Sequence, residues 1–445
     1  MKFKLLIVVL LSQLFICCKK EFNQDVPPAS DEGKNLLRKD GDRHLKIAIV
    51  SDIHYMHPSL LINNGAAGTA FQNYLNQDPK LIQYSDPIWR RVMKELIAEE
   101  PDILLVPGDI TKDGEKISHQ TMEGFLNQLE SKGMKVYVVP GNHDINNAKA
   151  KLYNGNNDYP VDQTSATDFE NIYGNFGYNE AIAKDPYSLS YVAQPKADLR
   201  IIGIDASKYE EYGPSGDVAA GRIKPQTLSW MLSQIAKAKK DNVTIFAMMH
   251  HNLIEHYAGQ SQLDPGYVID DWQSVANTLM EAGLKFIFTG HYHANDISSY
   301  TYNGNTVYDI QTGSLVTAPI PYRILTLKDN KMEIRSKTVQ SIAAQLPGGV
   351  SFPSYANGFL SQHLDGYFNY YLANILGVPA PVVPFASPLF RNGIMAHFAG
   401  DEKMPPDQRK KIEELAAMSQ QLAGIVTTLW TDTGEKDNHN HINYK

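Results

Sequence analysis

Lys135-Val136-Tyr137-Val138-Val139 runs straight into Pro140-Gly141-Asn142-His143-Asp144. The β-branched and aromatic run Val136–Val139 reads as a short buried strand. A glycine then frees the chain to turn, and three polar side chains suited to metal or proton chemistry follow at once. The same order recurs along the chain. Leu45–Val50 leads into Ser51-Asp52-Ile53-His54, and Ile103–Val106 into Pro107-Gly108-Asp109. Val243–Met249 leads into His250-His251, and Phe286–Phe288 into Thr289-Gly290-His291-Tyr292-His293. A sixth strand candidate, Arg200–Ile204, ends at Asp205. Between the strands lie amphipathic helices. Pro87–Glu99 carries Ile88, Val92, Leu96 and Ile97 at helical spacing; Thr121–Leu129 and Pro225–Ala238 behave likewise. Alternating strands and helices predict an α/β layered fold. In such sheets ligands collect beyond the carboxyl ends of the strands, and here that rim is loaded with Asp, Asn and His.

Composition agrees with an enzyme-sized globular chain. It has 445 residues, 43% hydrophobic and 20% charged, enough for a large core. A net charge of −8 speaks against a nucleic-acid-binding surface. The only cysteines, Cys17 and Cys18, are adjacent and near the N-terminus, so no disulfide staples the body and no thiolate holds a metal there.

The rim residues therefore have to act as nitrogen and oxygen ligands, which suit Mn, Zn or Fe. There are enough of them for two divalent ions sharing one carboxylate. Asp52 and His54 are two apart, as are His291 and His293; in extended backbone each pair points the same way. Two divalent ions against two aspartates and a bridging hydroxide leave a net positive site, fitted to an anionic substrate. Two-metal centres activate water and clamp phosphoryl oxygens.

The five motifs, in order over Leu45 to Arg335, resemble the calcineurin-like metallophosphoesterase family: D-x-H, G-D, G-N-H-D/E, H and G-H-x-H. The resemblance implies a four-layer α/β/β/α sandwich, two face-to-face sheets flanked by helices. It implies that Asp52, His54 and His293 bind one metal, that Asn142, His250 and His291 bind the other, and that Asp109 bridges. His250, rather than His251, directly ends the apolar strand. His143 would protonate the leaving group or stabilise the phosphate, with Asp144 as a supporting catalytic carboxylate. The reaction implied is phosphate-ester hydrolysis by a metal-bridging hydroxide. The alternative from another class is a non-catalytic envelope protein that binds a phosphate-bearing ligand.

Departures narrow the branch. Purple acid phosphatases place a metal-binding Tyr three residues after the bridging Asp, where this chain has Lys112. Protein Ser/Thr phosphatases read G-D-x-x-D-R-G, and the Arg is missing from Gly108-Asp109-Ile110-Thr111-Lys112-Asp113-Gly114. The string looks more like the cyclic-nucleotide phosphodiesterase-like branch, so diester hydrolysis ranks above monoester hydrolysis. Lys112 reads as a solvated loop lysine and Asp205 as a turn residue. Tyr55, His57 and Tyr292 adjoin ligands and could line the pocket. The polar insert Pro58 to Tyr84 reads as a lid or specificity loop.

Four regions are expected. Residues 1–17, with Lys2 and Lys4 before apolar Leu5–Leu11, resemble a bacterial lipoprotein signal with Cys18 as the anchor. Residues 18–43 form a tether and 44–340 the metallophosphoesterase domain. Residues 341–445 form a mainly helical extension, with Pro406 to Trp430 read as one long helix and His439-Asn440-His441 as a frayed tail. Two hairpins are expected, turning at Asn303-Gly304-Asn305 and Asp329-Asn330. The partners expected are a small phosphate ester and, through the lipid, a membrane of the bacterial envelope.

Overall fold

The computed structural model describes residues 44–63, 65–431 and 436–444; the signal segment and tether expected from sequence, with Cys17 and Cys18, lie outside them. Among these residues two large sheets carry the architecture. In the first, Leu45–Ile49 pairs in parallel with Ile103–Pro107, which pairs in parallel with Lys135–Val139. On its other side Leu45–Ile49 pairs antiparallel with Pro321–Lys328, followed outward by Lys331–Thr338 and His439–Asn443. The second sheet has seven strands, with Leu199–Ile204, Thr244–Met249 and Phe286–Thr289 adjacent and parallel at its centre. A small third sheet joins part of the insert, Leu61–Ile62, to Lys151–Asn154 and Asn157–Pro160.

The sheets pack face to face, Lys135–Val139 against Leu199–Ile204 and Ile103–Pro107 against Thr244–Met249. Strand alternation divides the second sheet's side chains between two cores. Phe246, Met248, Phe286 and Phe288 join the core shared with the first sheet. Ala247, Met249 and Ile287 turn to the opposite face, under the helices Pro225–Lys240 and Trp272–Ala282. The helices Ser85–Glu99 and Lys116–Glu130 contribute Ile88, Trp89, Met122 and Leu126 to the first core. The result is the layered α/β arrangement, helices outside two sheets, followed by a helical C-terminal region.

Both expected hairpins form, and their central residues (Asn303 and Gly304, Asp329 and Asn330) all have positive φ, as the tightest hairpin turns require. The C-terminal region differs from expectation in two places. The helix read over Pro406 to Trp430 is two helices, Pro406–Met418 and Gln420–Thr428. Ser419 breaks it with extended backbone (φ −158°) and caps the second helix by accepting a hydrogen bond from the Leu422 amide. The tail at His439-Asn440-His441 is not frayed. It is an edge strand on Lys331–Thr338, held because Asn440 and Ile442 turn inward while His439 and His441 face solvent. No helix among the described residues is long and apolar enough to cross a membrane.

Candidate metal centre

Each motif begins where a strand ends. The carboxyl ends of Leu45–Ile49, Ile103–Pro107, Lys135–Val139, Thr244–Met249 and Phe286–Thr289 meet on one rim, and the chain there turns abruptly. Asp52, His54, Asp109, His291 and His293 all have positive φ, between 42° and 75°. Such backbone is unfavourable for residues with a Cβ and collects at functional sites. This corrects the extended geometry read for Asp52/His54 and His291/His293: the backbone is left-handed at both members of each pair, and it brings Asp52 and His54 into one group but divides His293 and His291 between two. Among the glycines, Gly108 makes the turn expected of it, with φ +82°, whereas Gly141 serves close approach, since a Cβ there would stand 2.2 Å from Asp109 Oδ1.

The structure brings all seven residues read as ligands together. Asp52, His54 and His293 form one group; Asp109, His250 and His291 form another; within each group the ligand atoms lie within 4.8 Å of one another. Asp109 Oδ2 stands 3.3 Å from His250 Nε2 and 3.5 Å from His54 Nε2, so one carboxylate belongs to both sides. Asn142 Oδ1 is 3.1 Å from His250 Nε2. His251 donates from Nε2 to the Ala219 carbonyl, 3.0 Å away, and stacks on His291 instead.

Outer hydrogen bonds decide which atom each residue presents. His250 donates from Nδ1 to the Pro107 carbonyl at 2.9 Å, which leaves the Nε2 lone pair facing Asp109 and Asn142. His291 donates from Nε2 to the Gly266 carbonyl at 3.1 Å, freeing Nδ1. Asn142 donates from Nδ2 to Asp217 Oδ2 at 3.1 Å and so aims its carbonyl oxygen inward. His54 Nε2 and His293 Nε2 face each other at 3.4 Å, with Asp52 Oδ1 3.4 Å from His293. Lone pairs and carboxylates crowded this closely suit a cation between them, and the donor set of imidazole, carboxylate and amide oxygen fits Mn, Zn or Fe.

Ionisation follows the same crowding. Burial would raise the Asp109 carboxyl, but the imidazoles of His250, His143 and His54 outweigh it and hold it well below the usual carboxylate range. Burial and neighbouring His250 push His291 down to about 3. Burial also opposes charge on His143, as does Lys80; Asp109, Asp217 and a hydrogen bond to Asp113 prevail and lift it to about 9.

His143 stands beside the centre and itself forms a group with His54 and Asp109 whose ligand atoms lie within 4.8 Å of one another. Its amide donates to Asp109 Oδ1 at 2.9 Å, and Nδ1 donates to Asp113 Oδ1 at 2.9 Å, turning Nε2 toward the cavity. Three residues that the sequence reading did not assign to the site surround it. Asp113 orients the ring, Asp217 lies 3.8 Å from Nε2, and Lys80 Nζ lies 3.5 Å from Nε2. Lys80 comes from the insert, whose residues Asn76 to Lys80 form part of the cavity wall. Nothing local in the sequence marks Asp217; its loop is brought in by the fold. Asp113, four residues after Asp109, was visible in the G-D string.

Asp144 does not reach the reacting end. It is wholly buried and accepts hydrogen bonds from the amides of Ile110, Thr111 and Gly141, at 2.9–3.1 Å. It ties the loop carrying Asp109 to the loop carrying Asn142, a positioning role in place of the catalytic one read from sequence. Lys112 is also corrected. It is fully buried, paired with Asp113 and Glu115, and its ammonium sits 4.5 Å from the Tyr74 ring centre. The insert and the small third sheet cover a segment that sequence alone leaves open to water. Tyr292 lines the cavity. Tyr55 instead donates to Asp86, and His57 caps Pro58–Leu60. Asp205 accepts from the Leu189 and Ser207 amides and from Tyr209, holding turns together.

Residues 45–295, more than half of the chain, match the calcineurin-like phosphoesterase family, and the chain belongs to that family. A 3′,5′-cyclic-nucleotide phosphodiesterase from Nostoc sp. is 38% identical over 65 residues, 14% of this chain. The chain matches only 23% of the length of that relative. Among solved structures, a dimetal phosphatase from Danio rerio is 14% identical with a TM-score of 0.45, covering 67% of this chain and 97% of that one. A purple acid phosphatase from yellow lupin (Lupinus luteus) seeds is 12% identical with a TM-score of 0.40, covering 67% of this chain and 52% of that one.

Proposed function

We propose that this chain hydrolyses phosphate esters, diesters in preference to monoesters, using two divalent ions. Asp52, His54 and His293 would hold one ion, Asn142, His250 and His291 the other, and Asp109 both. The observation that carries this reading is the place of Asp109 Oδ2, within 3.5 Å of an imidazole nitrogen from either group. Ions bound there supply an activated water and charge stabilisation on the phosphoryl oxygens.

The remaining work falls to the chain. His143, oriented by Asp113, presents Nε2 to the cavity and can protonate the departing oxygen or hold phosphoryl oxygens. Lys80 adds a second cation beside it, kept protonated by Asp78, Asp109 and Asp113 although burial opposes the charge. Support for diesters comes from charge. Among the described residues no arginine lines the cavity to clamp a dianion, and the two lysines that do, Lys80 and Lys149, are already paired with Asp78 and Asp217. The short match to a cyclic-nucleotide phosphodiesterase points the same way. The protein is further proposed to be a bacterial lipoprotein, anchored at the envelope by Cys18, with a small phosphate ester as substrate.

Hydrolysis of bis(p-nitrophenyl) phosphate by the Mn²⁺-loaded protein, beside p-nitrophenyl phosphate and cyclic nucleotides, tests the reading. Metal-dependent turnover that is fastest on a diester is the expected result. Faster turnover of the monoester overturns the diester preference. Binding of phosphate esters without any turnover favours the non-catalytic alternative.

A further inference from the structure

A single cavity of about 1010 Å³ runs from the metal-centre rim to the C-terminal helices. Asp109, Asn142, His143, His291 and His293 line one end. Leu364, Phe368, Phe390, Ile394, Phe398 and Leu429 line the other, contributed by the helices Phe352–Tyr370 and Val383–Ala399 and the residue after Gln420–Thr428. We propose that this apolar end holds the alkyl or acyl chain of the substrate, so that the ester hydrolysed is an amphiphile with its phosphate at the rim. The inference rests on the phosphoesterase reading above and names the substrate class for that site.

Three observations favour a hydrocarbon chain over a nucleoside. These six buried side chains offer no hydrogen-bond donor or acceptor. Of the polar residues beside them in the lining, His363 turns both ring nitrogens to the Phe359 and Leu75 carbonyls, and Gln362 and Gln421 are exposed, whereas a base or sugar taken out of water needs buried partners for its polar edges. The volume stands at the upper limit of small-molecule sites, about 300–1,000 Å³, and exceeds what a phosphate head requires. Large apolar side chains also stand at the exposed part of the lining, beside Gln362 and Gln421. Tyr367, Tyr370 and Leu376 line the cavity yet remain 51%, 61% and 42% exposed, with Ile375 beside them at 59%. From Gly366 to Phe390 the sequence has no charged residue. A rim of this kind costs solubility unless it meets an apolar surface, and an aggregated amphiphile provides one. The cations Lys80 and Lys149 line the same cavity, where the anionic head would lie.

The test is a series of alkyl p-nitrophenyl phosphates, methyl, butyl and octyl, each below its micelle-forming concentration, with Mn²⁺-loaded protein. Each methylene moved fully out of water contributes roughly a fourfold gain, so burial of all seven would give about 10⁴-fold and burial of half of them about 100-fold; kcat/KM is expected to rise between about 100-fold and 10⁴-fold from methyl to octyl. Ile394→Trp, which fills the groove, is expected to cut the octyl-to-methyl ratio at least tenfold. Leu376→Ser, at an exposed position that folding tolerates, lowers the same ratio by a smaller factor. A flat series with the methyl ester hydrolysed overturns the groove assignment and leaves the phosphoesterase reading standing. Cyclic nucleotides turned over faster than the octyl ester also overturn it, in favour of a nucleobase. No turnover of any member with Mn²⁺, Zn²⁺ or Fe²⁺ overturns both readings.

Discussion

Asp109 is the residue on which both halves of the centre depend. Its Oδ2 faces His54 and His250, and its Oδ1 accepts the His143 amide. Asp109→Asn keeps the shape but removes the charge that, on the proposed reading, two cations would share. Elemental analysis should find both metal equivalents lost, whereas His291→Ala, on one side only, should retain about one. Retention of two equivalents by Asp109→Asn would exclude a shared carboxylate. His143 separates by leaving group. A nitrophenolate departs without a proton and an alkoxide does not, so His143→Ala should lower kcat on alkyl esters by about 10²–10⁴-fold and on nitrophenyl esters far less. Equal losses on both would leave charge stabilisation as its whole role.

At the scale of elements, the loop after Thr244–Met249 is pinned to the second sheet by a buried charge cluster. His256 lies between Asp296, bonded to Nδ1, and Asp309, 3.4 Å from Nε2. Burial would lower the imidazole, but Asp309 and Asp296 lift it from 6.5 to about 10. A folded pKa above the unfolded one means that the contribution is complete below pH 6.5 and is lost as the pH rises through about 10. Replacing His256 by Gln leaves two buried carboxylates without their cation, a loss of about 3–5 kcal/mol. Urea denaturation of wild type and variant should show the widest gap near pH 6 and a narrowing gap toward pH 10. A gap that widens with pH would refute the cluster's sign.

For the whole molecule, the C-terminal region is tied to the first sheet by its last strand. Buried Arg323 donates to the Asp437 carbonyl, and the Asp437 carboxylate accepts from the amides of Ile297 and Asp401, at 2.7 and 2.6 Å. Ending the chain at Thr431 removes those partners and the strand His439–Asn443 together. The truncated protein should lose roughly 1–3 kcal/mol or more in chemical denaturation, since the buried guanidinium loses one acceptor while Gln311, Asp296 and Ser336 keep the others, and the edge strand loses its packing. Full stability would mean that the last strand is an ornament of the edge. The proposed anchor also belongs to this scale. Fatty-acid labelling should mark the wild type and spare Cys18→Ser; a Cys18→Ser variant that labels normally would move the anchor to Cys17, and a Cys17→Ser/Cys18→Ser double variant that still labels would exclude a lipid anchor at either.

The strands, the order of the five motifs and the layered class follow from the chain itself, because strand alternation and the turns after Val50 and Val139 are local properties. Cysteine placement likewise limits the metal chemistry before any fold is known. Other facts depend on distance in space. The Pro107 carbonyl selects the His250 tautomer, Asp217 aims the Asn142 amide, and left-handed backbone, not an extended run, directs Asp52, His54, His291 and His293. Lys112 reads as a solvated lysine until Tyr74 and Tyr153, from separate elements, close over it. Asp144 reads as a supporting catalytic carboxylate until three amides from two loops claim it. The apolar groove has no sequence signature either, since its walls come from several helices of the extension read only as mainly helical. Local spacing sets which groups are available; only packing between distant segments decides which atom each one presents and what it faces.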